Sequence, residues 1–202
     1  MRMKVEIRND SVFIDGYVNA VERDSKTLHN RSGAFVEKIK AGAFRRALAR
    51  ADKTSSEVRV LLNHNYDRQL TSTKDATTKL FEDSIGLRCQ CEIRDADVIQ
   101  KAKEQKLQGW SFGFTVLSDA WSDTEPRHRD VRELELREVS ILDDTKIPAY
   151  DGTSIELRDD DPESYLEYRS FDNDEMEIKD LSTVGDDVEL ISYQNRYLAA
   201  LI

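Results

Sequence analysis

Three side chains of the sequence have the types that nucleophilic hydrolysis requires, namely a hydroxyl, an imidazole and a carboxylate. The hydroxyl is that of Ser111, in a stretch of aromatic residues and glycines over residues 108–117. Alternation places Phe112, Phe114 and Val116 on one face of this stretch and Ser111 on the other. The pattern predicts a β-strand that is anchored by its apolar face and presents a candidate nucleophile. An ordinary polar strand residue is the alternative.

A general base for this serine must come from the three histidines of the chain. Every second residue from Val58 to Leu62 is apolar, and His64 continues the same face, which predicts a strand over residues 57–64 that ends at His64 on its inward side. An inward imidazole needs polar partners, which a carboxylate and a hydroxyl would provide. A purely structural histidine is the alternative. The other two, predicted to be solvated loop residues, are His29 and His128.

The phase of another predicted strand, over residues 131–142, points to the carboxylate. Apolar residues occupy even positions up to Leu136 and odd positions from Val139 onwards. Either both faces are buried, or a bulge resets the register near Arg137 and Glu138. Glu138 continues the apolar face of Leu136, where a carboxylate needs a hydrogen-bonding partner. It is the candidate orienting residue, and an ion pair with an arginine such as Arg137 is the alternative.

Periodicity and chain breakers predict the elements that would hold these side chains. Gly42 is predicted to open a first helix, and Asp95 or Asp97 to cap a second that ends near Leu107, with Gly109 as its left-handed C-terminal residue. These elements predict an α+β fold, mainly an antiparallel, barrel-like β domain with a few helices. Further strands are predicted over residues 3–8, 12–18, 87–93 and 153–158, and the first helix over about 42–51. A loop is predicted over residues 65–70 and a turn-rich segment over residues 119–130.

Charge divides the chain into two regions. Residues 1–149 carry 25 acidic and 26 basic residues, whereas residues 150–202 carry 15 acidic and 4 basic ones. We therefore predict a folded domain over residues 1–158, followed over 159–202 by an acidic tail or linker with a short apolar C-terminal segment. A near-neutral body with an acidic tail argues against nucleic-acid binding.

Neither a membrane anchor nor a metal site is expected. No run of about 20 apolar residues and no secretory signal is present, which predicts a cytoplasmic protein. Cys89 and Cys91 share the apolar face of one strand and are predicted to be buried free thiols, too few for a thiolate zinc site. The Asn63-His64-Asn65 triplet suggests a metal nuclease, but no second histidine or cysteine cluster accompanies it. No cofactor is expected.

Five separated motifs of the sequence are Ile39-Lys-Ala-Gly-Ala-Phe44, Leu61-Leu-Asn-His-Asn65, Ile85-Gly-Leu87, Gly109-Trp-Ser-Phe-Gly-Phe114 and Arg137-Glu-Val-Ser-Ile-Leu142 with Ile147-Pro-Ala149. They follow the order and spacing of the tailed-phage prohead protease family, and the chain resembles that family from about residue 12 to residue 158. The family is distantly related to the herpesvirus assemblin proteases, which implies a herpesvirus-protease-like fold. The chain departs from the family at Ala41, where a proline is common, and at residues 143–146.

The resemblance implies a serine endopeptidase that acts in the host cytoplasm, inside the immature capsid. On the family's motifs Ser111 matches the nucleophile, His64 the general base and Glu138 the third member, which is a second histidine in the herpesvirus relatives. The implied substrates are the major capsid protein or scaffold and the protease itself, and a homodimer or higher oligomer is implied. Neither nucleic acid nor a membrane is expected as a partner, because of the charge distribution and the lack of a long apolar run described above. A non-enzymatic capsid-assembly or scaffolding protein is the alternative.

Overall fold

The structure is a computed structural model that describes residues 2–30, 32–145, 155–156, 166–171 and 175–182. Within these ranges the chain forms 13 strands and two helices. In chain order the elements are β1 (Arg2–Ile7), β2 (Val12–Ala20), β3 (Leu28–Asn30), β4 (Gly33–Ile39), α1 (Ala43–Lys53), β5 (Arg59–Leu62), β6 (Asn65–Ser72), β7 (Thr78–Glu82), β8 (Gly86–Ile93), α2 (Ala96–Lys103), β9 (Leu107–Ser122), β10 (Arg127–Asp143), β11 (Ile155–Glu156), β12 (Leu166–Phe171) and β13 (Glu175–Asp180).

The strands form two mixed sheets. One has the order β13-β1-β2-β8-β7, and the other has the order β11-β12-β9-β10-β4-β3, with β5 beside β10 and β6 beside β5. Most strand pairs are antiparallel, but β1 with β13, β10 with β4 and β10 with β5 are parallel. The α+β class is confirmed. The prediction of a barrel-like domain is wrong, because neither sheet closes on itself. Strands β4 and β5 pair with successive parts of β10, so the second sheet branches at this strand.

The second sheet is built around the long hairpin of β9 and β10, which have 16 and 17 residues. The segment predicted as turn-rich, residues 119–130, belongs mostly to these strands. Cross-strand contacts explain the difference, because Trp121 packs against Phe35 with ring centroids 5.2 Å apart and lies under the guanidinium groups of Arg127 and Arg129. Such pairs stabilise a strand whose own sequence is polar.

The two helices start as predicted. Gly42, with φ of 85°, precedes α1, and the Asp95 side chain caps α2 by accepting a hydrogen bond from the backbone of Val98. The second helix is shorter than predicted, because Gln105 adopts a left-handed conformation with φ of 56° and the chain re-enters a strand at Leu107. Gly109 is therefore not a helix cap but a residue of β9.

The strand predicted over residues 57–64 is β5, which ends at Leu62. Asn63 and His64 form the two-residue turn of a hairpin, since Leu62 pairs with Asn65 on β6. Both turn residues have positive φ, 56° and 60°, as two-residue hairpin turns favour. The predictions that His64 ends a strand and that residues 65–70 form a loop are wrong, because the turn occurs earlier than the alternation suggests.

Part of the predicted acidic tail joins the sheets. Strand β12 pairs antiparallel with β9, and β13 pairs parallel with β1. The predicted strand over residues 153–158 is described at β11 only. The Ile147-Pro-Ala149 motif and the apolar C-terminal segment lie outside the described residues. A division of the chain at residue 158 stays a prediction.

The core lies between the sheets and the helices. It includes Trp110, Phe112 and Phe114 of β9, all fully buried. Cys89 and Cys91 are buried free thiols, as predicted, and the hydrogen bond with the Cys91 thiol, together with burial, raises the pKa of Cys89. None of the described helices has the length and apolarity that crossing a membrane would require.

Candidate active site

The structure brings the three predicted site residues together in one hydrogen-bonded chain. Nε2 of His64 lies 2.8 Å from Oγ of Ser111, and Nδ1 of His64 lies 2.8 Å from Oε1 of Glu138. Ser111 and Glu138 are fully buried, whereas the His64 side chain is 21% exposed. A carboxylate at Nδ1 holds the proton there, so the lone pair of Nε2 faces the serine hydroxyl. This is the arrangement that activates a serine for attack.

Ser111 and Glu138 come from neighbouring strands of one hairpin. Ser111 of β9 pairs with Ser140 of β10, and Glu138 pairs with Gly113. The β9–β10 register shifts between Leu136 and Glu138, which confirms the predicted bulge. From Glu138 onwards both faces of β10 are buried. The bulge turns Glu138 towards the serine side instead of continuing the earlier alternation.

His64 is placed by the β5–β6 turn. Backbone N–H of Asn63 donates to the carbonyl of Ile141 at 2.9 Å, and Asn63 Oδ1 accepts from the backbone N–H of Asp143 at 3.1 Å. Both bonds tie the turn to β10, the strand that carries Glu138. A left-handed backbone conformation is uncommon for a histidine, and residues held in this way are frequent at functional sites.

Sequence reasoning missed Ser140, which completes the polar network. Its hydroxyl donates to Oε2 of Glu138 and accepts a 3.1 Å hydrogen bond from the backbone N–H of His64. Both carboxylate oxygens of Glu138 are therefore occupied, one by the imidazole and one by this hydroxyl. Ser140 stands two residues after Glu138 on the same strand, so the Glu-Val-Ser spacing was a usable signal.

Gly113 leaves the space in which Glu138 lies. A Cβ at this position would stand 2.6 Å from Oε1 of Glu138 and 3.0 Å from Cε1 of Tyr168. We predict that Gly113→Ala displaces the buried carboxylate and slows peptide hydrolysis by about 100-fold, since a shift of about 1 Å in such a group is enough for that loss. Steady-state kinetics with far-UV circular dichroism as the folding control would check this. An unchanged rate in a folded variant would contradict it.

Asp143 stabilises the end of β10 beneath the histidine turn. Its side chain is 1% exposed and lies 3.2 Å from Nζ of Lys101. Burial alone would raise the pKa of Asp143, but hydrogen bonds with Thr145, Asn63 and Lys101 outweigh it and lower that pKa from 3.8 to about 2. The carboxylate therefore stabilises the fold above about pH 4, and this contribution is lost as the pH falls towards 2.

We predict that Asp143→Asn lowers the free energy of unfolding by about 2 kcal/mol at pH 7, the equivalent of the lowered pKa. The difference between the variant and the wild type should shrink below pH 4, because the wild type loses the same charge there. Urea unfolding at several pH values measures both quantities. A difference that stays constant between pH 7 and pH 2.5 would rule out this origin.

The other two histidines lie away from this network. His29 is exposed on β3, and His128 of β10 pairs with Ser122, at the opposite end of the hairpin from Ser111. Both lie in strands rather than in the predicted loops. In the part of the chain that the structure describes, no group of three or more histidine, cysteine, aspartate or glutamate side chains could hold a metal ion.

Strand β12 covers the nucleophile. The hydroxyl of Ser111 donates to the carbonyl oxygen of Arg169 at 2.8 Å, and the ring of Tyr168 packs edge-on against His64 with centroids 4.4 Å apart. The Arg169 side chain reaches Glu37 of β4. Nothing in the acidic composition of this segment indicated that it would reach the candidate site.

One comparison with known proteins identifies a family for this chain. No curated protein and no solved structure matches the chain. A family model, that of the caudovirus prohead serine proteases, matches residues 1–167, which include the whole of the Ser111, His64 and Glu138 network. The chain therefore belongs to the caudovirus prohead serine protease family.

Proposed function

We propose that the protein is a serine endopeptidase that matures the phage capsid, with Ser111 as nucleophile, His64 as general base and Glu138 as orienting carboxylate. The observation that carries the proposal is the continuous hydrogen-bonded chain from Ser111 Oγ through both nitrogens of His64 to Glu138 Oε1. Family membership supports the reaction class independently of this geometry.

In the proposed mechanism, Ser111 Oγ attacks the carbonyl carbon of the scissile peptide bond while Nε2 of His64 takes the hydroxyl proton. Glu138 stabilises the imidazolium that forms, and the second hydrogen bond of its carboxylate, from Ser140, keeps it in place. His64 then gives the proton to the departing amine. Water releases the acyl group by the same steps, with His64 again as base.

The finer assignments belong to the same proposal. The substrates are the scaffold or the scaffolding segment of the major capsid protein, and the protease itself. The site of action is the procapsid, in the cytoplasm of the host. A homodimer or higher oligomer and a herpesvirus-protease-like fold are inferred from the family resemblance.

A serine-directed phosphonate tests the proposal on the purified full-length chain. We expect covalent labelling at Ser111, located by peptide mass spectrometry, and fragments of the capsid protein when the two proteins are co-expressed. A scaffolding protein without enzymatic activity would give neither label nor fragments. That double negative result would reject the proposed function.

A further inference from the structure

Strand β12 lies where a substrate strand would have to lie. It runs antiparallel to the nucleophile strand β9, with Ser170 opposite Ser111 and Tyr168 opposite Gly113. The carbonyl oxygen of Arg169 is the group within 2.8 Å of Ser111 Oγ. A serine nucleophile attacks the carbonyl carbon of P1, the residue before the scissile bond, and the carbonyl group that contacts Ser111 through its oxygen is that of Arg169. In this register Arg169 corresponds to P1 and Ser170 to the residue after the bond.

The Arg169 side chain fills a site at the side of the nucleophile strand. Its Nε and Nη2 bind the two carboxylate oxygens of Glu37 at 2.8 and 3.0 Å, a bidentate pair. Its guanidinium carbon lies 5.2 Å from the ring centroid of Phe114 on β9. Arg169 and Glu37 are 8% and 3% exposed. Planar, bidentate contacts of this kind favour arginine over a neutral or shorter side chain.

Glu37 depends on this partner. Among the described residues its carboxylate accepts three hydrogen bonds, two from Arg169 and one, at 3.0 Å, from Nη1 of Arg129. Arg129 is itself shared, because it also binds Asp119 at 2.7 Å. With β12 absent, the carboxylates of Glu37 and Asp119 would share the single guanidinium of Arg129. A buried carboxylate with too few donors is unfavourable, so the site is complementary to an added cation.

A second contact involves the residue two positions before Arg169. This residue is Glu167, which corresponds to P3 of a substrate and lies on the same face of β12 as Arg169. Both of its carboxylate oxygens lie 2.9 Å from Nη1 of Arg129. Burial lowers the pKa of Arg129, but the charges of Glu167 and Glu37 outweigh it and raise that pKa. Tyr168, between them at P2, contacts His64 instead.

We propose that Glu37 and Arg129 form the specificity site of this protease and select peptides with arginine at P1 and an acidic residue at P3, the pattern that β12 presents as Glu167-Tyr168-Arg169. The proposal rests on the proposed protease function. The same proposal makes the peptide bond between Arg169 and Ser170 a cleavage site of this enzyme.

Cleavage of that bond follows the general mechanism. Oγ of Ser111 forms an ester with the Arg169 carbonyl carbon, the bond to the Ser170 nitrogen breaks, and that nitrogen receives the proton through His64. Water then hydrolyses the ester, leaving a carboxylate on Arg169 and regenerating Ser111. In the structure the Arg169 carbonyl oxygen accepts the hydrogen bond of the Ser111 hydroxyl. For attack, the single hydroxyl proton must instead be directed to Nε2 of His64, and the carbonyl must rotate so that its carbon faces Oγ.

Synthetic decapeptides with the sequence of residues 164–173 test the specificity without altering Glu37. One keeps arginine at P1, one has the neutral isostere citrulline there, and one has glutamine in place of glutamate at P3. The enzyme is the full-length Arg169→Gln variant, whose own strand no longer fills the site with a cation. We expect cleavage after arginine, a kcat/KM at least about 100-fold lower for citrulline and about 10-fold lower for the P3 glutamine peptide.

The outcomes separate this inference from the proposed function. Equal kcat/KM for the arginine and citrulline peptides overturns the specificity site, as does phosphonate labelling of Ser111 without cleavage of any peptide. Absence of both labelling and cleavage rejects the protease function itself.

An enzyme variant locates the discrimination at Glu37. Adding Glu37→Gln to the Arg169→Gln background should bring the ratio of kcat/KM between arginine and citrulline close to one. The matched control in the same background is Glu133→Gln, which removes a half-exposed carboxylate of β10 that pairs with Arg50. It should leave the ratio unchanged. A ratio that persists at about 100 in folded Glu37→Gln overturns the assignment.

Discussion

Replacing Ser111 with alanine should lower kcat for peptide hydrolysis by roughly 10⁶-fold, because nucleophile, base and orienting group act as one unit and the loss of the nucleophile removes the covalent route altogether. Phosphonate labelling should disappear with it. The side chain is fully buried and small, and its partners His64 and Arg169 lie on other elements, so the fold should persist. Intact mass spectrometry of the capsid protein co-expressed with the variant measures the loss directly.

Ser118→Ala is the matched control for this variant. Ser118 is an exposed serine on the same strand, β9, and lies outside the hydrogen-bonded network. Its removal should leave both labelling and processing at the wild-type level. Processing that continues at a normal rate in Ser111→Ala would show that another group attacks the peptide bond, and the proposed triad would be wrong.

The three residues of the hydrogen-bonded network could be predicted because each stands out from a simple pattern. Ser111 is the polar exception in an aromatic stretch, and Glu138 marks the point where the alternation of β10 changes phase. The alternation that predicts an inward-facing His64 ends earlier in the structure, where His64 lies in a turn. His64 nevertheless lies beside Glu138, because β5, directly before this turn, pairs with β10.

The rest of the site could not be predicted, because it depends on pairing between distant segments. Ser140 is important only once the bulge sets its position beside Glu138 and the backbone of His64. From the sequence alone, Glu37 has the pattern of a solvated surface residue. Its partner Arg169 lies on β12, more than 120 residues later in the chain. Parallel pairing of β4 and β5 with β10 leaves no local signal either, because parallel neighbours are far apart in sequence.

The catalytic role proposed for Glu138 must be distinguished from a structural one. It is fully buried and accepts hydrogen bonds from His64 and from Ser140. A buried carboxylate with two donors could simply stabilise the hairpin. The catalytic role makes a different demand, because the negative charge must hold the proton on Nδ1 and stabilise the imidazolium during the reaction.

Glu138→Gln separates these roles, since glutamine keeps the shape and the hydrogen-bonding oxygen but removes the charge. We expect kcat to fall about 10⁴-fold, because the amide N–H₂ can donate to Nδ1 and leave the proton on Nε2, where it cannot accept from Ser111. Thermal unfolding should show a folded protein. Glu135→Gln, on the same strand and paired with Arg137, is the control and should keep full activity. A Glu138→Gln enzyme within 10-fold of the wild type would mean that the charge has no part in catalysis, and that the buried carboxylate serves the hairpin alone.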